Sequence, residues 1–227
     1  MNVGRIIPLI AQKSSPKTVK FSPAEMECIN RYHQITPLNN GINKKLKRGV
    51  DSLGGFLGMT ITSPVVLLSL LAIKLDSKGP AIFKQQRIGR DGKLFTMYKM
   101  RTLYYKDYQK YKITSPGDKN ITRVGKFLRK YSIDEFPQFY NILKGDMSII
   151  GPRPVPTYEH DWCVAETPEF SVRYCVKPGA KLDYNAKTVS NDERLATEKE
   201  YIKNWSVKKD IKTFLNIVRD VFSGNNF

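Results

Sequence analysis

The stretch Ser52-Leu-Gly-Gly-Phe-Leu-Gly-Met-Thr-Ile-Thr-Ser-Pro-Val-Val-Leu-Leu-Ser-Leu-Leu-Ala-Ile73 decides how this chain folds. It runs 22 residues without a charge, enough for a helix to cross a bilayer core of about 30 Å. Two features speak against a simple crossing. Ser63-Pro64 falls in its middle, where proline removes a helix hydrogen bond and crowds the preceding turn. Both flanks are basic: Lys44, Lys45, Lys47 and Arg48 lead in, and Lys74, Lys78, Lys84, Arg87, Arg90 and Lys93 lead out. Basic flanks favour the cytoplasmic side. A helix that enters, bends at Pro64 and returns satisfies both. Asp51 at the entry is costly in hydrocarbon and requires a cation. Lys47 or Arg48, one turn earlier, can reach it. Gly54-x-x-x-Gly58 is a weak mark of close helix packing. The rival reading is the buried core helix of a soluble domain, although such helices rarely run this long without a charge.

Outside this stretch the chain is strongly basic. Its 38 Lys and Arg against 21 Asp and Glu give a net charge of +17 over 227 residues, which attracts nucleic acid, anionic lipid or phosphorylated substrates. Cys28, Cys163 and Cys175 form no CxxC pair, so neither a disulfide framework nor a zinc site is expected, and a reducing compartment is the simplest inference. His33 and His160 stand alone and read as ordinary partly buried or surface residues. Ile6 to Ile10 is too short an apolar run for a signal peptide.

Residues 1–43, rich in Ser, Pro, Asn and Lys, read as a separate extension of unknown role, with a short helix starting at Ser22-Pro23. Residues 44–74 are expected to form the membrane segment, and 75–227 a cytoplasmic domain. Within that domain Ile82 to Met100 is strand-like, with a hairpin turn at Gly89-Arg-Asp-Gly92. Residues 105–121 read as a polar loop rich in Tyr and Lys. A helix is expected after Pro137 and another over Asp161 to Arg173, after which Lys177-Pro-Gly179 turns the chain. Near the C-terminus Val207, Ile211, Phe214, Leu215, Val218, Val221 and Phe222 recur at helical spacing. That helix either packs on the core or lies in the membrane interface, with its lysines on anionic headgroups. The class is therefore α+β: a mostly helical, monotopic membrane protein with a re-entrant helix-break-helix, a small β-hairpin region and interfacial amphipathic helices.

The chemistry points to Ser132-Ile-Asp-Glu-Phe-Pro-Gln138. Asp134 and Glu135 stand side by side before a proline. Arg123, Lys126, Arg129 and Lys130 lie upstream, and Lys144 and Gly151-Pro-Arg-Pro154 lie downstream. Paired acids in a basic surround suit a phosphate ester and a metal ion. The plain alternative is a helix capping box, Ser132-x-x-Glu135.

In order along the chain, these motifs resemble the bacterial sugar transferases, the monotopic phosphoglycosyl transferases. Lys47-Arg48-x-x-Asp51 opens the membrane helix and Ser63-Pro64 breaks it. Gly79-Pro-x-x-Phe83-x-Gln-Gln-Arg87-x-Gly89, Phe95-x-x-x-Lys99-x-Arg101-Thr102 and Ile121-Thr-Arg-x-Gly125 follow. Arg129-x-x-Ser132-x-Asp-Glu-x-Pro-Gln138, Asn141, Gly145-Asp-Met-Ser148 and Gly151-Pro-Arg-Pro154 complete the pattern. The resemblance implies a site on the cytoplasmic face of the bacterial inner membrane. There a phosphosugar passes from a UDP-sugar to a polyprenol phosphate such as undecaprenyl phosphate, with release of UMP and a need for Mg²⁺. Such a step opens capsule, exopolysaccharide or glycoprotein synthesis. Asp134 is implied as nucleophile. Asp134 and Glu135 are candidate metal ligands, with no choice between them from the sequence. Arg153, Arg129, Lys99, Arg101, Arg87, Arg123 and Gln138 are candidate phosphate or substrate contacts. A helix starting near Pro137 is expected to hold the dyad ionised. A homo-oligomer stays open.

One departure stands out. Where the family carries an apolar Thr-Gly-Leu-x-Gln-Val run, this chain reads Pro178-Gly-Ala-Lys-Leu-Asp-Tyr-Asn185, which bears on the sugar-side pocket, the local membrane contact or both. Two other classes compete. A basic nucleic-acid-binding module would use the +17 charge with 12 Tyr and 11 Phe as a stacking surface, but has no use for the uncharged run. An inactive membrane scaffold would have no use for the dyad.

Overall fold

The computed structural model describes residues 18–105, 118–182 and 190–223. Most of the expected 105–121 loop lies outside them, as does the stretch from Asp183 to Val189. So do the side chains of Val218, Val221 and Phe222.

Helix α1 (Pro23–Ile35) starts as its sequence dictates. Ser22 caps it, Pro23 occupies the first turn, and the Glu25 carboxylate returns to the Ser22 N–H at 2.8 Å. Ile29 and Tyr32 then enter the largest core, among Phe170, Val172, Leu195 and Ile202. The described part of the extension thus closes the domain's own core.

Helix α2 (Gly41–Asp76) is 36 residues long and carries the uncharged stretch. By length and composition it can cross a membrane, with mean hydropathy 2.1 over its most apolar window and only 11% of that window buried. The two halves expected on either side of a break run on as one helical element through Pro64. The reason is local. Proline deprives the Thr60 carbonyl of its usual donor, and the Ser63 hydroxyl supplies one at 2.8 Å.

Three contacts seat α2 on the rest of the chain. Asp51, 2% exposed, accepts from the Ser148 hydroxyl at 2.9 Å and the Ile149 N–H at 3.0 Å, with Lys47 at 3.5 Å. The expected pairing with Lys47 is therefore present, inside the protein rather than at a lipid surface. Lys47 also donates to Asp210 at 2.6 Å and to the Ile150 carbonyl at 3.1 Å. Arg48 instead caps α4 (Gln138–Lys144), donating to the carbonyls of Ile142 and Leu143 at 2.7 and 2.6 Å. Second, the glycines form a notch. A Cβ on Gly58 would lie 2.4 Å from the Phe139 ring, and one on Gly54 2.4 Å from Ile149. The glycine spacing therefore serves packing within the chain. Third, Val66, Leu70 and Ile73 pack with Met100, Leu128, Ile133 and Phe136.

Strands β1 (Ile82–Ile88) and β2 (Leu94–Met100) form the antiparallel hairpin expected around Gly89–Gly92, with Phe83 opposite Lys99. Helix α3 (Arg123–Lys130) precedes the dyad. Strands β3 (Ser148–Ile150) and β4 (Gly179–Lys181) pair in parallel, with Ile150 opposite Lys181.

The helix expected over 161–173 divides in two. Helix α5 (Thr157–Glu166) stops before Pro168, because the residue preceding proline is pushed extended, and a 3-10 run follows. Helix α6 (Asn191–Lys203), capped by Ser190 and Glu193, was not anticipated. Helix α7 (Val207–Ser223) is the expected C-terminal helix. Val207, Ile217 and the buried Asp210 tie it down, while Ile211, Phe214 and Leu215 stay exposed.

Candidate active site

Asp134 and Glu135 lie on a short 3-10 turn, Ile133–Glu135, between α3 and α4. Ser132 enters it in the left-handed region, at φ 54°, and makes no capping bond with its side chain. The capping-box reading therefore fails, and a strained non-glycine backbone sits two residues before the first acid. Phe136 is helical although proline follows it (φ −54°, ψ −34°), so the turn runs almost directly into α4. The residues on either side of the acids face the other way. Ile133 and Phe136 pack toward α2 and Leu128.

The expected cations converge from three elements. Lys99 on β2 donates to Glu135 Oε1 at 2.6 Å, and Arg153 reaches the same oxygen at 3.3 Å. Asn141 on α4 fixes the spacing. It is fully buried, accepts from the Tyr98 N–H at 3.2 Å and donates to the Thr96 carbonyl at 2.7 Å, so α4, which follows the dyad, is tied to β2. Arg129 donates to the Thr102 hydroxyl at 2.8 Å and acts on Asp134. Arg87 donates to the Pro154 carbonyl at 3.0 Å, which holds the turn carrying Arg153. Burial, with the Arg153 charge nearby, pulls Arg87 down to about 10.

The two carboxylates are driven apart. Burial raises Asp134 from 3.8 to about 6; Lys99 opposes that rise and the Glu135 anion adds to it. Burial also opposes ionisation of Glu135, but Lys99 and Arg153 outweigh it and hold this carboxyl far below its usual range. Glu135 is thus held ionised throughout the neutral range, and Asp134 ionises above about 6, so near neutral pH both carry charge, Asp134 the less firmly. Close acids with opposed shifts are a mark of functional sites.

Not every candidate joins the site. Arg101, 1% exposed, is spent on the Pro80 carbonyl, on both the hydroxyl and carbonyl of Ser77, and on the Leu103 carbonyl. It ties the end of α2 to β2. Arg123 is exposed at the start of α3. Gln138 is buried at the start of α4, 4% exposed. Lys181, known from the sequence only as an anomaly, acts electrostatically on Glu135.

The site is thus a half-buried acid pair under converging cations, next to residues that pack on a long apolar helix. The family model for bacterial sugar transferases matches residues 42–224, and the chain belongs to that family. It is 39% identical over 189 residues to a UDP-glucose:undecaprenyl-phosphate glucose-1-phosphate transferase of Caulobacter vibrioides, covering 79% of this chain and 71% of that protein. It is 37% identical to a UDP-N-acetylgalactosamine-undecaprenyl-phosphate N-acetylgalactosaminephosphotransferase of Aeromonas hydrophila, over 79% of this chain and 44% of the other. The Escherichia coli UDP-glucose:undecaprenyl-phosphate glucose-1-phosphate transferase is 38% identical over 81% of this chain and 42% of its own. The chain thus spans less than half the length of the last two.

Proposed function

We propose that this protein transfers a phosphosugar from a UDP-sugar to a polyprenol phosphate, undecaprenyl phosphate in the relatives' names, at the cytoplasmic face of the membrane. One observation carries the reading. The acids sit among Lys99, Arg129 and Arg153, while Phe136, the next residue, packs onto the membrane helix. A site for a soluble diphosphate and a lipid phosphate must lie at such a boundary.

Asp134 acts as nucleophile. An ionised carboxylate oxygen attacks the phosphorus that carries the sugar. The bond from that phosphorus to the bridging oxygen breaks, and UMP leaves with the electron pair. A polyprenol phosphate oxygen then attacks the same phosphorus, frees the Asp134 carboxylate and yields the lipid diphosphate sugar. Lys99 and Arg153 keep Glu135 ionised beside the nucleophile, and Arg129 and Arg153 offset the developing phosphate charge. Among the described residues no three His, Cys, Asp or Glu side chains gather as a metal cage. The dyad's hard oxygens fit Mg²⁺, which takes one or two carboxylates and completes its shell with substrate phosphates and water. Bound there by Asp134 and Glu135, it would neutralise diphosphate charge.

The helix ends favour re-entrant topology. Lys47, Asp51 and Gly58 of α2 contact the same domain that Val66, Leu70 and Ile73 contact. From Asp51 to Ile73 an α-helix rises about 33 Å, roughly a full hydrocarbon core. A domain on one side of the membrane cannot hold both ends of a straight crossing. The test of function is a UMP-release screen of the full chain in detergent, with polyprenol phosphate and a panel of UDP-sugars. Mg²⁺-dependent release with at least one donor is expected; no release with any of them would contradict the reading.

A further inference from the structure

Residues 18–40 lie ahead of the part of the chain that matches the family model, which begins at residue 42. They reach the tip of the hairpin between β1 and β2. The Val19 N–H donates to the Gly92 carbonyl at 2.9 Å, and Thr18 bridges to Lys93. His33, near the end of α1, places Nε2 2.9 Å from Asp91 Oδ1. Asn39 follows on the 3-10 turn Pro37–Asn39. Its amide nitrogen donates to the His33 carbonyl, and its Oδ1 accepts from Arg90 at 2.8 Å. Arg90, Asp91, Gly92 and Lys93 are thus each held by the extension.

The residues just before that tip grip the turn that carries Arg153. The Ile88 N–H donates to the Val155 carbonyl at 3.0 Å, and Arg87 donates to the Pro154 carbonyl at 3.0 Å. Those carbonyls belong to the two residues after Arg153, whose guanidinium reaches Glu135 at 3.3 Å. The extension also meets the turn from behind. Phe21 stacks on Tyr174, with ring centroids 5.1 Å apart, and Tyr174 lines a small cavity with Pro152, Arg153 and Pro154. A two-stranded hairpin is marginal by itself, so what pins its tip sets its geometry. Placement matters at this point, because a displacement of about 1 Å at a reacting centre can cost on the order of a hundredfold in rate.

We propose that residues 18–40 are a positioning brace for the reaction, with Asn39 as the positioning residue. By holding Arg90 it fixes the hairpin end that grips the Arg153 turn, and so sets Arg153 on Glu135. The inference rests on the phosphate-handling role given to Arg153 above. Asn39 touches no reacting atom and acts only through Arg153.

Two measurements on the full chain in detergent test this. Hydrogen exchange reads the brace without turnover: Asn39→Ala should speed exchange at the Ile88 amide, which donates to Val155. UMP release from UDP-glucose or UDP-N-acetylgalactosamine, with polyprenol phosphate and Mg²⁺, reads the effect on the reaction. Asn39→Ala should lower kcat about fivefold in the parent protein but less than about twofold in Arg153→Lys, because residues that act through one contact do not add. An equal loss in both proteins would reduce Asn39 to a merely structural residue and overturn the proposal. Unchanged exchange at Ile88, or parental kcat in Asn39→Ala, would overturn it too. Arg90→Ala removes the same bond from the other side and takes the place of Asn39→Ala if that variant melts early. Absence of UMP release from the unaltered chain would contradict the function proposed above, and the exchange result would then decide the brace alone.

Discussion

Asp134 and Glu135 are neighbours whose surroundings differ. Lys99 and Arg153 both bond Glu135, whereas burial dominates at Asp134 and lifts it to about 6. The acid is raised, so its ionised form, the one the proposed nucleophile needs, is lost as pH falls through 6 and restored above it. The pH profile of kcat/KM should therefore rise with an apparent pKa near 6 and level off above about 7, because it reports the free enzyme. A flat profile from pH 5 to 8 would show that Asp134 is not the ionising nucleophile. Arg153 is a sharper case. Its backbone is held by two prolines and by the Arg87 bond to the Pro154 carbonyl. Arg153→Lys keeps the charge and loses the planar fork. UMP release should drop tenfold or more; near-normal kinetics would reduce Arg153 to a turn residue.

At the scale of elements, the notch on α2 is the joint between membrane helix and chemistry. Gly58 allows Phe139 to lie against the helix, and Phe139 is one residue beyond the start of α4. Gly58→Leu should force the two helices apart, costing about 1–3 kcal/mol as overpacking. The melting temperature should fall by about 2–4 °C for each kcal/mol, with lowered UMP release in the protein that stays folded. An unchanged melting temperature and full activity would contradict the joint. The elements also mark how far the sequence carried. The hairpin, the capped start of α1 and the C-terminal helix were legible because each rests on local signals: turn glycines, a capping serine, helical spacing. The dyad with Lys99, Arg129 and Arg153 was legible from ordered motifs. Arg101 was misread, since nothing local distinguishes a guanidinium facing phosphate from one spent on the carbonyls of Ser77, Pro80 and Leu103. Asn141 appeared only as a motif residue, because its bonds to β2 span more than 40 residues of chain. The integration of α1 was hidden for the same reason: its Ile29 and Tyr32 meet residues from 170 onward.

The whole molecule is organised around one apolar helix that its own domain grips at both ends. An N-terminal site and the catalytic domain should therefore share the cytoplasmic side. Cysteine labelling from the periplasm at an engineered site near residue 20 should leave the unaltered chain unlabelled. Strong labelling there would favour an ordinary crossing. Replacing Ser63 and Pro64 together by Ala or Leu returns a backbone donor to Thr60 and removes the hydroxyl that now serves it. Some molecules of this variant should then cross fully and become labelled.

The central claim is that Asp134 carries the phosphosugar between a soluble donor and a lipid acceptor. Peptide mass analysis tests it most directly, after the full chain in detergent is mixed with its UDP-sugar and Mg²⁺ but no polyprenol phosphate. A phosphosugar adduct on Asp134 is predicted, formed with about one equivalent of UMP, lost on adding polyprenol phosphate and absent from Asp134→Asn. An adduct on any other residue, or UMP release only when the acceptor is present with no adduct at all, would contradict the account.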